Sequence, residues 1–238
     1  MASWYLSNPA LLEKVQKLVA AELPTFHVDV ENGVIFVRGS LLLKNSETDI
    51  EIDRYDIEVQ LPDDYPKSVP LVRETGGRLP RIADRHFNPS DGTACLFLPE
   101  ERLKYYPKNT TIVDFIRGPV YQFFLGQTFR TLEGNPLFGE WHHGEKGRLQ
   151  YYEELLGTSN PRVILKFLRY LSAKRLKAHW PCYCGSGKKL RECHANKVLE
   201  LQEKITRRQA RESEAKLRKH LQSRAMVRAD RNDKLPRL

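Results

Sequence analysis

The sequence predicts an α+β domain followed by a small metal-binding module and a basic helical end. Three observations carry this reading. One helical pattern precedes four strand-like runs, three cysteines and a histidine cluster near the far end, and the charge balance changes sign along the chain. Of the 238 residues, 174–238 hold 19 Lys and Arg against 7 Asp and Glu, a net +12, whereas 1–173 hold 20 against 23, a net −3. A near-neutral globular part is joined to a cationic one, and the chain is long enough to bury a sizeable core.

The elements follow in order. Asn8-Pro9 opens a helix, with Asn as N-cap and Pro at the first helical position; Leu11, Leu12, Val15, Leu18 and Val19 give it an apolar face, and Pro24 closes it. Strand-like runs come next at Phe26–Val30, Val34–Leu43, Asp49–Leu61 and Val69–Arg73, the first two joined by the hairpin pair Asn32-Gly33. Alternation in the third run breaks around Asp53-Arg54, which predicts a bulge or a register slip there. Pro62, Pro66 and Pro70 make the connection to the fourth run stiff. From Gly76 to Tyr106 there is no periodicity, and a loop of that length in a compact domain is usually functional. Thr110–Phe129 reads as a helix capped by Thr110 or Thr111 and kinked or broken at Gly118-Pro119. A short helix is expected over Gly147–Leu156, and a further one starting at Asn160-Pro161 with Val163, Ile164, Phe167, Leu168 and Leu171 on its apolar face. Residues 195–229 read as a charged helix with sparse apolar positions: Val198, Leu199, Ile205, Leu217 and Leu221.

No apolar run approaches the roughly 20 residues of a membrane span. The opening Met-Ala-Ser-Trp-Tyr lacks the basic region and apolar stretch of a secretory signal, so a cytoplasmic location is expected. Four cysteines there favour metal binding or catalysis over disulfides. The basic end suits nucleic acid, a ribosome or an acidic protein, and equally a solvated helix.

Cys182, Cys184, Cys193 and His194 offer four thiolate or imidazole ligands, the number tetrahedral zinc requires at about 2.0–2.3 Å. Gly185 and Gly187 let the chain reverse between the two pairs. With all four positions filled by protein, the zinc is structural; the alternative is a redox-active or merely buried set of thiols. The run Cys-x-Cys-Gly-Ser-Gly-Lys-Lys followed by Cys-His resembles the SEC-C motif, a zinc module appended to many bacterial proteins. That resemblance implies zinc and a docking role.

The fourth cysteine, Cys95, sits alone in the long irregular segment. Around it the chain reads Tyr65-Pro66, His86-Phe87-Asn88, Gly92-Thr93-Ala94-Cys95-Leu96, Tyr106-Pro107 and Thr111-Ile112. After one helix and a four-strand meander, this order resembles the ubiquitin-conjugating enzyme fold over roughly residues 8–140. The resemblance implies that Cys95 accepts the C-terminal acyl group of a protein as a thioester and passes it to an amine. Such chemistry needs a thiolate nucleophile and a donor for the tetrahedral oxyanion. Asn88, seven residues before the cysteine, is the candidate donor, and His86 the candidate loop-orienting residue; the alternatives are a turn role for Asn88 and simple burial for Cys95.

The chain departs from the family pattern in three places. The Asn-to-Cys distance is one residue short, Phe87 replaces proline, and the acid that activates the incoming lysine is matched most closely by Asn135, with Glu133 nearby. His142 and His143, in a Trp-His-His-Gly run similar to bacterial members, are candidates for that role at neutral pH.

Bacterial relatives of this kind commonly belong to antiphage operons, where the donor is a ubiquitin-like protein or a cGAS-like nucleotidyltransferase. The chain has no Gly-rich nucleotide loop, so a separate activating enzyme is expected unless the donor arrives activated. Two other readings stay open: an inactive binding module of the same fold, and a zinc-dependent adaptor docking on ribosome or nucleic acid. The domain reading places a conjugating-type domain at 1–157, a connecting helix at 158–180, the zinc module at 181–195 and the basic tail at 196–238.

Overall fold

A computed structural model describes residues 4–45, 47–134, 142 and 144–233. The chain forms two compact units: 1–97 with 102–140, and 98–101 with 141–238.

The first unit is α+β. Helices α1 (Trp4–Ser7) and α2 (Pro9–Glu22) precede strands β1 (Phe26–Glu31), β2 (Val34–Lys44), β3 (Glu51–Leu61) and β4 (Leu71–Glu74). The strands form one antiparallel sheet in sequence order, a meander. Asn8 caps α2 as expected, accepting from the Leu11 N–H at 3.3 Å. Asn32 and Gly33 both adopt positive φ, the backbone a tight two-residue hairpin turn requires. The bulge falls at Ile52, beside the expected position: Leu43 pairs Asp53 and Lys44 pairs Glu51, so one β3 residue is left without a partner. Beyond it Tyr55, Ile57, Val59 and Leu61 all point into the core, against Ile35, Val37, Val15 and Val19.

After β4 the chain is irregular apart from short 3₁₀ turns and the four-residue helix α3 (Arg102–Tyr105). The expected helix from Thr110 is three pieces: α4 (Ile112–Phe115), a π-helical turn (Ile116–Val120) and α5 (Tyr121–Glu133). Thr111 and Asp114 form a reciprocal capping box. Pro119 has no N–H to donate, and the wider π turn absorbs that loss without ending the helix.

The second unit is helical. It holds α6 (Gly144–Leu156), α7 (Pro161–Leu171), α8 (Ala195–Lys204) and α9 (Arg207–Asp233). Its core joins Leu149 and Tyr152 of α6 to Ile164, Phe167, Leu168 and Leu171 of α7, and to Val198, Leu201, Ile205, Ala210 and Leu217. The reading of 1–157 as one domain is corrected by this packing, because α6 belongs with the helices that follow it. The tail is likewise no free appendage: α8 and the first half of α9 contribute core residues. The single charged helix expected over 195–229 is broken at Ile205-Thr206, where Thr206 and Gln209 cap the next helix reciprocally. Leu199 is 50% exposed, whereas Val198, Ile205 and Leu217 are buried as their spacing required.

Segment 98–101 is held in this unit by a buried ion pair. Glu100, with a side chain 0% exposed, accepts from Arg148 Nε at 2.6 Å and from Ser213 Oγ at 2.5 Å. Arg148 also donates to Glu145. Among the described residues no helix is long and apolar enough to cross a membrane.

Candidate functional sites

Cys95 lies in the first unit, just past a small turn that the backbone closes on itself. Asn88 N–H donates to Thr93 C=O and Gly92 N–H to Asn88 C=O, both at 2.8 Å. Ala94 N–H then bonds Val72 C=O of β4, and Cys95 N–H bonds His86 C=O, both at 2.7 Å. Phe87 is buried between these contacts and meets Phe123 edge-on, which explains why an aromatic serves there: it anchors the loop to α5. Cys95 is exposed and carries a free thiol.

The sequence-selected side chains take specific positions. His86 adopts a left-handed conformation, φ 55°, and serves Cys95 through its backbone carbonyl. Asn88 is engaged in the turn, its Oδ1 accepting from Ser90 N–H at 3.3 Å and Ser90 Oγ at 3.0 Å. Asp91 is a residue that sequence reading passed over as part of a turn. Its Oδ1 accepts from Thr93 N–H and Oγ1, which with Arg73 and the Asn88 amide hold its carboxyl below the usual range. Packing around Cys95, and then the Asp91 carboxylate, push the thiol above its ordinary pKa. The resting group at neutral pH is therefore a thiol, not a thiolate.

Because of that shift, alkylation of Cys95 by iodoacetamide should rise about tenfold per pH unit from pH 7 and keep rising beyond pH 9. Asp91→Asn should speed it several-fold at pH 8, as read by peptide mass spectrometry. A rate that levels off below pH 8 contradicts the burial and charge assigned here.

His142 belongs to the second unit, where it is exposed and its backbone N–H donates to Gln150 Oε1 at 3.2 Å. His143 and Asn135 lie outside the described residues.

The second unit brings Cys182, Cys184, Cys193 and His194 together, as the spacing required. All four ligand atoms lie within 4.8 Å of one another. Cys182 Sγ is 3.2 Å and Cys193 Sγ 3.1 Å from His194 Nδ1, and the Cys184 and Cys193 sulfurs are 3.7 Å apart. Tetrahedral zinc with Zn–S of about 2.3 Å places two sulfurs about 3.8 Å apart, so the donor set fits that ion with Nδ1 as the imidazole ligand. All three cysteines of the cluster are free thiols.

Local sequence builds the cluster. Gly185 and Gly187 both have positive φ, which turns the chain between the ligand pairs. Cys182 N–H bonds Lys188 C=O at 2.9 Å, and Leu190 N–H bonds Trp180 C=O at 2.7 Å, closing a hairpin. Cys193 and His194 then arrive at the start of α8. A hydrogen bond from the Ser186 hydroxyl pulls the Cys184 thiol down to about 6, whereas burial pushes Cys182 up to about 11. Lys166 Nζ donates to Cys182 C=O at 3.0 Å, tying the hairpin to α7.

Together the two units define an α+β domain with an exposed cysteine loop and a helical unit with a Cys₃His cluster able to hold a metal ion. Comparison with protein-family models, with curated proteins and with solved structures finds no match.

Proposed function

We propose that the first unit is a ubiquitin-conjugating-like acyl carrier and that the second holds a structural zinc ion through Cys182, Cys184, Cys193 and His194. The observation that carries the first part is an exposed free thiol at the end of a backbone-locked turn, beside a meander whose topology matches that expectation.

Cys95 Sγ attacks the carbonyl carbon of an activated protein C-terminus. The S–C bond forms, the activating group leaves, and the thiol proton passes to solvent. An amine then attacks the same carbon; its C–N bond forms, the S–C bond breaks, and the departing sulfur takes up the proton the amine gives up. A thiol of raised pKa gives a strong nucleophile once ionised, at the cost of a low resting thiolate fraction. Asn88 supports the second step by turning its amide from the Asp91 carboxylate to the oxyanion, with its Oδ1 accepting from Ser90. Asp91 adds a negative charge beside Cys95, suited to an approaching ammonium group. The donor is a protein bearing a C-terminal acyl group, a ubiquitin-like protein or a cGAS-like nucleotidyltransferase in an antiphage setting, activated by a separate enzyme.

The experiment loads Cys95 by exchange with a small peptide thioester and follows discharge to free lysine. Wild type should discharge far faster than a glutathione thioester of the same peptide, and Asn88→Ala should slow it about 10²- to 10³-fold.

A second reading, an inactive binding module, is favoured by the commitment of the Asn88 side chain to the turn. It predicts discharge no faster than the glutathione thioester and no effect of Asn88→Ala.

A further inference from the structure

Helix α9 is docked along one side only. Ala210, Ser213 and Leu217 are buried, and they mark the side that packs in the second unit. At 100° per residue, Arg208, Arg211 and Lys219 fall opposite this side with Glu212 as the acid among them, and Arg207, Lys216 and Arg218 stand exposed on its two flanks, so the cations line the whole solvent-facing half of the helix. Two of the six cations are compensated, Arg208 by Glu212 at 2.8 Å and Arg218 by Glu214 at 2.7 Å. Arg207, Arg211, Lys216 and Lys219 form no ion pair with a described residue. They span about 18 Å of helix, and Arg207 and Arg211 stand one turn apart, about 6 Å along the axis.

A cationic arc alone admits several anionic partners, so what it lacks decides between them. A protein interface is built around apolar or aromatic anchors sealed from water. From 207 to 222 the exposed arc carries no large apolar or aromatic side chain. What it offers is charge repeated at regular intervals, which suits a partner whose own charge repeats. We propose that the exposed arc of α9 binds the phosphate backbone of nucleic acid, without reading sequence, through Arg207, Arg211, Lys216 and Lys219. The absence of aromatics on the arc excludes base stacking as the source of affinity, and the helix is fixed to the unit by its buried face. This surface is separate from the acyl-carrier reading and stands whether or not Cys95 transfers a group.

The test is fluorescence anisotropy of the full chain with labelled 20-nucleotide poly-U RNA and a 20-base-pair DNA duplex between 50 and 200 mM salt. With four phosphate contacts, affinity should fall about 50-fold for the single strand and about 150-fold for the duplex over that range. Replacing Arg207, Arg211, Lys216 and Lys219 by Gln should abolish binding at 50 mM salt while leaving the melting temperature and metal content unchanged. Arg207→Lys with Arg211→Lys, which keeps the charge, should bind within a few-fold of wild type. Three results overturn the proposal: no binding at 50 mM salt, a folded four-Gln variant that binds like wild type, or labelled polyglutamate binding as tightly as RNA and DNA.

Discussion

With zinc held as proposed by Cys182, Cys184, Cys193 and His194, its removal is expected to unfold much of the second unit. The hairpin around these ligands is held by few backbone hydrogen bonds, and its apolar content is small: Tyr183 and Leu190, with Cys182 itself buried. Without an ion, several ionisable thiols converge within 4.8 Å. Structural zinc sites in small peptides contribute an apparent 10–16 kcal/mol at neutral pH, comparable to the whole stability of a domain. Because Tyr183 meets Phe167 edge-on and Leu190 lies in the same core, the loss spreads from the hairpin to α7 and α8. Incubation with a strong chelator, or Cys193→Ser, should lower the melting temperature of this unit by more than 10 °C. Native mass spectrometry should find one zinc ion per chain before chelation and none after. A chain that melts identically with and without chelator, and carries no zinc as purified, contradicts the site.

Arg148→Met should be the most damaging substitution away from the cysteines, at about 3–5 kcal/mol. Glu100 is buried completely, and Arg148 supplies the charge that compensates it. The Ser213 hydroxyl is the other donor to Oε1, and Oε2 has no partner among the described residues. Truncating the arginine strands a carboxylate in the core, where its solvation cannot be recovered. The cost belongs to the orphaned charge, not to the net worth of the pair, so the double variant Glu100→Leu/Arg148→Met should recover most of the loss. Urea unfolding of the two variants measures this directly. If Arg148→Met costs under 1 kcal/mol, or the double variant is as unstable as the single one, the pair is not the anchor described here.

The parts of the fold legible in the sequence were those specified locally. Asn8-Pro9 and Asn160-Pro161 start helices because cap and first-turn chemistry need only adjacent residues. The meander followed from alternation and the Asn32-Gly33 turn, and the Cys₃His cluster from spacing across two glycines. The bulge was displaced to Ile52 because alternation locates a break only to within a residue or two. The kink expected at Gly118-Pro119 became a π turn because neighbouring helical turns on both sides are buried and keep the axis going.

What the sequence hid was non-local. Glu100 and Arg148 are 48 residues apart, and nothing in either neighbourhood announces the pairing. The same contact places segment 98–101 with the helical unit, which a linear reading cannot see. Near Cys95, His86 and Asn88 were legible as neighbours of the thiol, but Asp91 was masked by its resemblance to an ordinary turn residue in Pro-Ser-Asp-Gly. Its significance comes from the fold-back that sets it near Cys95.

The proposed acyl transfer through Cys95 is tested most directly by intact-mass analysis of wild type and Cys95→Ser, each expressed with its chromosomal neighbours. Serine converts a labile thioester into a more stable ester. A protein-sized adduct lost to reductant from wild type, and to base but not reductant from Cys95→Ser, is the predicted result and identifies the donor by its mass. A tight non-covalent complex with the same neighbour, and no adduct on either protein, would contradict it.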